Sequence, residues 1–144
     1  MVGDEFAGVQ VLATPCFQDE RGILLKPWIE KLGGGPIYEV YVVSCGQGQV
    51  RGRHYHFGTT EWFTPLIGRG RLHLRDPHSR KERIIPLDAV NPHTIKIPAG
   101  MAHALVGDSK NFVVIACMDR PHDPADVTAI ASWVVPSTPP APSW

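Results

Sequence analysis

The chain has 144 residues, of which 43% are hydrophobic, and this length and composition suit one packed domain rather than a disordered segment. Lys plus Arg and Asp plus Glu number 14 each, so the formal net charge is zero and no overall field favours nucleic acid or an anionic membrane. The apolar stretches are far shorter than the about 20 residues of a membrane-spanning helix, which excludes a membrane partner at the level of sequence.

Strand-sized segments recur at short, even intervals along the chain. Gly and Pro, 14 of each, supply the turns between them, and most apolar runs are short and rich in Val and Ile. Even spacing of this kind is typical of a β-sandwich or barrel, since a closed sheet leaves no exposed edges. The sequence predicts strands at 8–13, 23–28, 37–44, 49–56, 61–67, 71–75, 82–87, 94–97, 102–106 and 112–118.

These elements predict one domain over residues 1–134. Residues 1–13 are the natural arm for exchange between subunits. Residues 135–144 are rich in Pro, which cannot donate to a β-ladder, and are predicted to form an extended tail.

The compartment is predicted from the cysteines and the start of the chain. The chain has an odd number of cysteines, namely Cys16, Cys45 and Cys117, and no C-x-x-C pair. This pattern favours free thiols in a reducing environment. The acidic first ten residues do not look like a signal peptide. A cytoplasmic location is therefore expected.

The segment with the clearest chemistry lies around residues 48–68. His54 and His56 are two residues apart, and this spacing places both side chains on one face of a strand. Glu61 follows a short turn and opens the next predicted strand. Two imidazoles and a carboxylate from adjacent strands form a sound site for a borderline divalent metal, with zinc preferred and iron, nickel or manganese as alternatives.

A second segment supplies a fourth candidate ligand. Pro98 and Gly100 predict a turn, and His103 lies just inside the following strand. A histidine from a distant strand would complete a set of three His and one Glu.

Both segments resemble motifs of the cupin family. The first matches the pattern G-x5-H-x-H-x4-E-x6-G at every fixed position, and the second matches P-x-G-x2-H. The resemblance implies an all-β fold with a single cupin barrel, of the jelly-roll or double-stranded β-helix type.

A narrower resemblance runs from about residue 5 to residue 128. The D-E-R-G, R-G-x-H-Y and I-P-x-G-x-A-H stretches, at residues 19–22, 51–55 and 97–103, look like those of the dTDP-4-dehydrorhamnose 3,5-epimerase family. The His-Tyr-His variant with Glu61 is closer to the metal-binding cupin domain of capsular-polysaccharide proteins, and related 3,4-ketoisomerases also carry R-G-x-H-x-H.

This resemblance implies an epimerase or ketoisomerase that acts on a nucleotide-linked 4-keto-6-deoxyhexose in surface polysaccharide or glycoside biosynthesis. It also implies a homodimer. In the metal-free epimerases a histidine at the position of His54 is the catalytic base. A histidine bound to a metal cannot take up a proton on the same nitrogen, so His54 is either the base or a ligand, and its spacing from His56 and Glu61 favours the ligand.

Other residues are candidates for catalysis or substrate binding. His73 alternates with leucines and could enter a polar barrel interior, although a position facing solvent beside Arg71 and Arg75 is the favoured alternative. Tyr41 and Tyr55 are candidate acids, and Glu39 is a further candidate base. A guanidinium group suits the diphosphate of a nucleotide, and an aromatic ring suits its base. The candidates for substrate binding are therefore Arg21, Arg51, Arg53 and Trp62. By strand alternation, Arg51 and Arg53 would face away from His54 and His56.

Two further functions stay open at the level of sequence. Three His and one Glu around iron or nickel also support dioxygen chemistry, so a metal-dependent cupin dioxygenase is an alternative. A non-catalytic cupin that binds a small molecule is the other.

Overall fold

The computed structural model describes residues 6–28 and 36–138, and these form an all-β fold with one short 3-10 turn, Pro124–Asp126. Twelve strands are present in the described residues. In chain order they are β1 Gln10–Ala13, β2 Cys16–Asp19, β3 Gly22–Leu25, β4 Glu39–Ser44, β5 Val50–His56, β6 Glu61–Ile67, β7 Arg69–Arg75, β8 Glu82–Asp88, β9 His93–Ile97, β10 Ala102–Gly107, β11 Val113–Met118 and β12 Val127–Ala129.

Two antiparallel sheets of five strands carry the fold. Their strand orders are β1-β9-β6-β11-β4 and β12-β5-β10-β7-β8, while β2 and β3 form a separate hairpin. Strands that are neighbours in a sheet are mostly distant in sequence, as β5 and β10 are, which is the crossed connectivity of a jelly roll. The predicted all-β cupin barrel is confirmed.

The core fills the space between the sheets. Alternating side chains of each strand enter it: Leu72 and Leu74 from β7 face Phe63 and Ile95 of the first sheet in one buried cluster. In β4 the same alternation leaves Val42 62% exposed on the outside.

A second buried cluster lies on the outer face of the second sheet. Residues 130–138 cross this face, and Trp133 and Val135 pack there with Ala104 and Val106 of β10. The Nε1 of Trp133 donates a hydrogen bond of 2.6 Å to Glu82. Val135 begins the predicted tail, whose last residues, 139–144, lie outside the described part of the chain, as do residues 1–5 of the predicted arm.

Two short strands and one turn differ from the sequence prediction. Strands β2 and β12 were not predicted. The second of these has only three residues and forms by pairing with β5. The predicted strands 61–67 and 71–75 leave three residues between them, but Gly68 alone makes this turn, at φ 75°, and β7 begins at Arg69. The three cysteines are free, and Cys45 and Cys117 are buried.

A β-bulge interrupts the strand that carries two of the histidines. His103 pairs with His54, but its neighbour Ala104 pairs with Gly52, so Arg53 is the extra residue. Gly52 and Arg53 both have positive φ, of 98° and 65°. The bulge reverses the alternation of β5 and thereby changes which side chains share a face with His54.

We expect Gly52→Ala to be more destabilising than Gly48→Ala. Both glycines have positive φ, which costs a residue with a Cβ about 1–2 kcal/mol. A Cβ on Gly52 would also lie 2.9 Å from the backbone oxygen of His103, whereas nothing lies within 4 Å of a Cβ on Gly48. Urea unfolding of both variants measures the difference, and equal midpoints would show that the bulge tolerates the methyl group.

Candidate functional site

Three histidines from the second sheet meet at one end of the barrel. His54 and His56 come from β5, where their spacing and the antiparallel ladder place them on the inner face. His103 comes from the adjacent strand β10 and pairs with His54. One ring nitrogen from each of the three lies within 4.8 Å of the others. The structure therefore brings together the predicted histidines.

Glu61 approaches the same point from the opposite sheet. Its Oε1 lies 2.5 Å from Nε2 of His56 and 3.6 Å from Nε2 of His103. Its Oε2 accepts a hydrogen bond of 2.7 Å from the hydroxyl of Tyr41 on β4. Glu61 is 1% exposed and contacts two of the three histidines, although it is not within 4.8 Å of all three.

A hydrogen bond to the backbone fixes the tautomer of His103, and the tautomer decides whether the ring nitrogen that faces Glu61 carries a lone pair. Its Nδ1 lies 3.1 Å from the backbone oxygen of Met101, and a carbonyl only accepts, so Nδ1 carries the proton. The neutral ring then presents the Nε2 lone pair to the Glu61 carboxylate. Both Nε2 of His103 and Oε1 of Glu61 are buried without a hydrogen-bond partner in the described residues. Two buried electron pairs that face each other call for a cation between them, so this donor set fits a divalent metal ion.

At three of the four side chains, the electrostatics of the cluster favour the protonation states that a metal needs, and His56 is the exception. Burial, together with the neighbouring His103 and His56, lowers the pKa of His54 to about 4. Burial also lowers the pKa of His103. Burial opposes the ionisation of Glu61, but the close contact with His56, the electrostatic influence of His103 and His56 and the hydrogen bond from Tyr41 outweigh it and lower the pKa of this carboxyl. The pKa of His56 shifts in the opposite direction. Burial disfavours the charged ring, but Glu61 and Asp126 outweigh burial and raise this pKa.

We expect the metal-free protein to lose stability as the pH falls from about 6.5 to about 4. The unfolded chain takes up a proton on His54 below about pH 6.5, whereas the folded protein resists this until about pH 4. The free energy of unfolding therefore decreases through this interval. Thermal unfolding in the presence of a chelator, at about pH 7 and about pH 5, measures this loss of stability. The His54→Asn variant should lose less stability between the two pH values, whereas the exposed control His93→Asn should lose as much as the unaltered protein. An unchanged loss of stability in His54→Asn would contradict the assignment of this pH dependence to His54.

A cavity of about 520 Å3 opens beside the histidines. Its wall includes Tyr41, His54 and His56, together with Glu39 and His122. A smaller cavity of about 180 Å3 lies on the other side of His54 and is lined by Arg51, Phe63 and His103 among others. A small molecule in the larger cavity would contact two of the three histidines.

Arg51 is the predicted substrate-binding residue that reaches this region. Because the bulge at Gly52 and Arg53 reverses the alternation, Arg51 shares a cavity with His54 instead of facing away from it. Its Nε donates a hydrogen bond of 2.7 Å to the backbone oxygen of Ser44. Arg53, the bulged residue, is exposed.

The structure does not bring the other predicted residues to the histidines. His73 lies on the outer face of the second sheet, where it pairs with Ala104 and its Nε2 is 3.5 Å from Nη1 of Arg71. Tyr55 lies on this face too, against the cluster around Trp133. The inward alternative for His73 is wrong, because Leu72 and Leu74 fill the interior and alternation then leaves His73 on the outer face.

Arg21 and Trp62 are also separate from the cluster in this chain. Arg21 lies in the turn between β2 and β3, where its Nε donates to Asp19. Trp62 is 3% exposed and neighbours Glu61 and Phe63, which both point inward, so its ring lies on the outer face of the first sheet, 5.8 Å from Nζ of Lys96.

Two further residues lie near the cluster: Tyr41 was a candidate acid, whereas Asp126 was not predicted. Tyr41 alternates with apolar neighbours in β4, and this pattern was the signal that its ring points inward. Asp126 lies at the end of the 3-10 turn, and its Oδ2 is 3.8 Å from Nδ1 of His56. No pattern in the sequence indicates this proximity, since it depends on β12 pairing with β5.

No helix in residues 6–28 and 36–138 has the length and hydropathy to cross a bilayer.

Comparisons with known proteins identify the fold and the family. The profile of a family described as "Polysaccharide biosynthesis C-terminal domain" matches residues 17–128. A search of curated protein sequences found no significant match.

Solved structures of sugar-modifying enzymes resemble this chain. One is a double mutant of ChmJ, a 3'-monoepimerase from Streptomyces bikiniensis, in complex with dTDP, with a TM-score of 0.81 and 19% identity over 90% of this chain and 72% of that chain. Another is QdtA, a sugar 3,4-ketoisomerase from Thermoanaerobacterium thermosaccharolyticum, in complex with TDP, with a TM-score of 0.78 and 18% identity over 89% of this chain and 92% of that chain.

A third is dTDP-4-dehydrorhamnose 3,5-epimerase from Bacillus anthracis with TDP and PPi bound, with a TM-score of 0.78 and 20% identity over 90% of this chain and 82% of that chain. At these identities the likeness establishes the shared fold. Since the family profile spans well over half of its length, the chain belongs to the polysaccharide biosynthesis C-terminal domain family, and its fold is the cupin barrel of nucleotide-sugar epimerases and ketoisomerases.

Proposed function

We propose that this protein is a metal-dependent epimerase or ketoisomerase that acts on a nucleotide-linked 4-keto-6-deoxyhexose in surface polysaccharide or glycoside biosynthesis. The observation that supports the proposal most directly is the three-histidine cluster, two members of which, His54 and His56, line a cavity of about 520 Å3. The shared fold with a 4-keto-6-deoxy sugar epimerase and with a 3,4-ketoisomerase solved in complex with TDP-4-keto-6-deoxyglucose supports it.

The proposed ligands are His54, His56, His103 and Glu61, with zinc the preferred ion and iron, nickel or manganese as alternatives. His54 belongs to this set because its low pKa leaves the ring neutral and its lone pair available, while a ring with a pKa of about 4 is a poor base near neutral pH. When bound, the metal ion supplies a Lewis acid that stabilises negative charge on a substrate oxygen.

The chemistry of a 4-keto sugar matches a site of this kind. The keto group acidifies the adjacent C–H, a base removes that proton, and reprotonation of the enolate on the other face inverts the carbon. With His54 assigned as a ligand, the proposed base is Glu39, a carboxylate in the cavity wall. Its Oε2 accepts a hydrogen bond of 2.9 Å from the backbone N–H of His122, which holds it in place.

Binding of the nucleotide is assigned to Arg51. It lines the cavity adjoining His54, and a guanidinium group matches the geometry of a diphosphate.

The test of the proposed function is hydrogen exchange on a substrate of this class. The protein is incubated with a nucleotide-linked 4-keto-6-deoxyhexose in heavy water, and proton NMR follows the signals of carbons 3 and 5. We expect deuterium uptake that requires the metal and that Glu39→Gln suppresses. The control is Glu82→Gln, whose carboxylate lies on the outer face beside Trp133. No metal-dependent uptake at either carbon would refute the proposed activity.

We also propose that the protein is a homodimer. Apolar side chains are exposed on the edge strand β4 and on the β2–β3 hairpin, including Val40 at 55%, Val42 at 62%, Phe17 at 63% and Ile23 at 56%. A second copy would remove this surface from water. Multi-angle light scattering tests it: a monomeric mass at micromolar concentration would refute the dimer, and Val42→Glu should weaken it.

A further inference from the structure

Two apolar side chains share the wall of the larger cavity with the polar residues of the candidate site. They are Met118 of β11 and Val127 of β12, and neither has a role in the proposed proton transfer or metal binding. The wall of this cavity therefore combines carboxylate and imidazole groups with a small hydrocarbon surface.

Met118 lies between two carboxylates of the first sheet. In the β-ladders its partner is Glu39 of β4 on one side and Glu61 of β6 on the other. Residues that are directly opposite in an antiparallel ladder point to the same face of the sheet, so the thioether shares the inner face with both carboxylates. Met118 is 3% exposed and lines the cavity beside the proposed base, Glu39.

Val127 reaches the cavity from the second sheet. It pairs with His56 in the ladder between β12 and β5, while its neighbour Thr128 pairs with Tyr55, whose ring lies on the outer face. Val127 is therefore directed inward beside His56. The cavity thus has one apolar side chain from each of the two sheets.

The proposed substrate carries an apolar group next to a reacting carbon. The 4-keto group acidifies the hydrogens on carbons 3 and 5, and in a 6-deoxyhexose carbon 5 also carries the methyl group, carbon 6. A base that acts at carbon 5 therefore lies close to this methyl group. The ladder partner of Glu39 that lines the cavity is Met118, so a hydrocarbon surface is present beside the proposed base.

We propose that Met118 and Val127 form a subsite for the methyl group of carbon 6 and make the protein selective for 6-deoxy sugars over their 6-hydroxy counterparts. Neither side chain has a strong hydrogen-bond donor or acceptor, so a hydroxymethyl group placed against them would lose hydrogen bonds to water without replacement. The inference rests on the proposed function, because the orientation of the sugar follows from the role assigned to Glu39.

The test compares two ligands that differ only at carbon 6, the nucleotide-linked forms of glucose and 6-deoxyglucose. The nucleotide is the one that binds most tightly among dTDP, UDP, GDP and CDP. Neither ligand has a keto group, so neither can undergo the proposed reaction, and titration calorimetry measures the dissociation constant of each.

Val127→Thr is the informative variant, because threonine has a shape similar to that of valine and replaces one methyl group with a hydroxyl. The matched control is Val43→Thr. Val43 is also a half-buried valine on an inner face, but it lines the smaller cavity. A second pair of variants, Met118→Gln and Met118→Leu, changes the polarity of the other side chain or keeps it.

We expect the unaltered protein to bind the 6-deoxyglucose ligand about 10- to 100-fold more tightly than the glucose ligand, which is the discrimination that a hydrophobic pocket achieves against an added hydroxyl. Val127→Thr and Met118→Gln should each reduce this ratio to about threefold or less, since a polar group then pairs with the hydroxyl of glucose. Val43→Thr and Met118→Leu should retain the ratio of the unaltered protein.

Equal affinities of the unaltered protein for the two ligands would overturn the inference, as would an unchanged ratio in a folded Val127→Thr or Met118→Gln variant. Deuterium exchange on the keto sugar separates this result from the proposed function. If exchange occurs but the two ligands bind equally, the activity stands and the methyl subsite is refuted. If the ratio depends on Val127 but no exchange occurs, the subsite stands and the activity is refuted. Binding of none of these nucleotides or sugar derivatives would refute both.

Discussion

Replacing His103 with Asn should abolish stoichiometric zinc binding. His103 is 3% exposed, and its Nε2 is buried opposite the Glu61 carboxylate with no hydrogen-bond partner in the described residues. The shorter amide cannot present an imidazole nitrogen there, so one ligand is lost outright. We expect the affinity for zinc to fall by more than the about 100-fold that removal of an outer-shell partner can cost. Elemental analysis of protein purified without chelator, followed by titration calorimetry, measures the effect.

The matched control is His78→Asn. His78 is exposed in the turn between β7 and β8, where its backbone N–H donates to Asp76 and no contact with the histidine cluster exists. This variant should bind zinc as the unaltered protein does. If His103→Asn keeps full occupancy, then the facing pair of His103 and Glu61 does not hold the ion, and the proposed ligand set is incorrect.

Replacing Trp133 with Ala should destabilise the protein by about 3–5 kcal/mol. The indole is 2% exposed, covers Ala102 and Ala104 on the outer face of the second sheet, and donates its N–H to Glu82. Truncation leaves a void that this irregular segment cannot fill, and it exposes the face that also carries His73 and Arg71. Thermal unfolding should show a midpoint lower by roughly 10 °C.

The neighbouring residue provides the control for this prediction. Val134 is 83% exposed in the same segment, so Val134→Ala removes apolar atoms without creating a cavity. Its effect should stay within about 0.5 kcal/mol. Equal effects of the two substitutions would show that residues 130–138 do not pack on the sheet as the structure has them.

The fold class and the histidine cluster were predictable from local pattern. Residues two apart on a strand share a face, so His54 and His56 had to point the same way, and short Val- and Ile-rich segments between turns had to form sheets. The motif around His103 was sufficient to predict that a distant strand would join them, and the strands pair as that prediction requires.

Strict alternation failed at one position, and at a second position the choice of the buried face decided the orientation. Arg51 was predicted to face away from the histidines, but the bulged Arg53 adds one residue to β5 and reverses the faces on either side of it. His73 was a candidate to enter the barrel, but the larger gain from burying Leu72 and Leu74 decides the orientation of β7, and alternation then places His73 on the outer face.

The amino-acid sequence by itself determined that this chain forms β-strands, that His54 and His56 share a face, and that an acidic residue opens the next strand, because each of these follows from neighbours along the chain. Only the tertiary structure decided that Tyr41 would hold Glu61, that Asp126 would face His56, and that Trp133 would cover the outer sheet. These contacts join residues from 20 to 70 positions apart. They depend on which strands pair and on which face each strand buries, and that choice is made by the packing of the whole core.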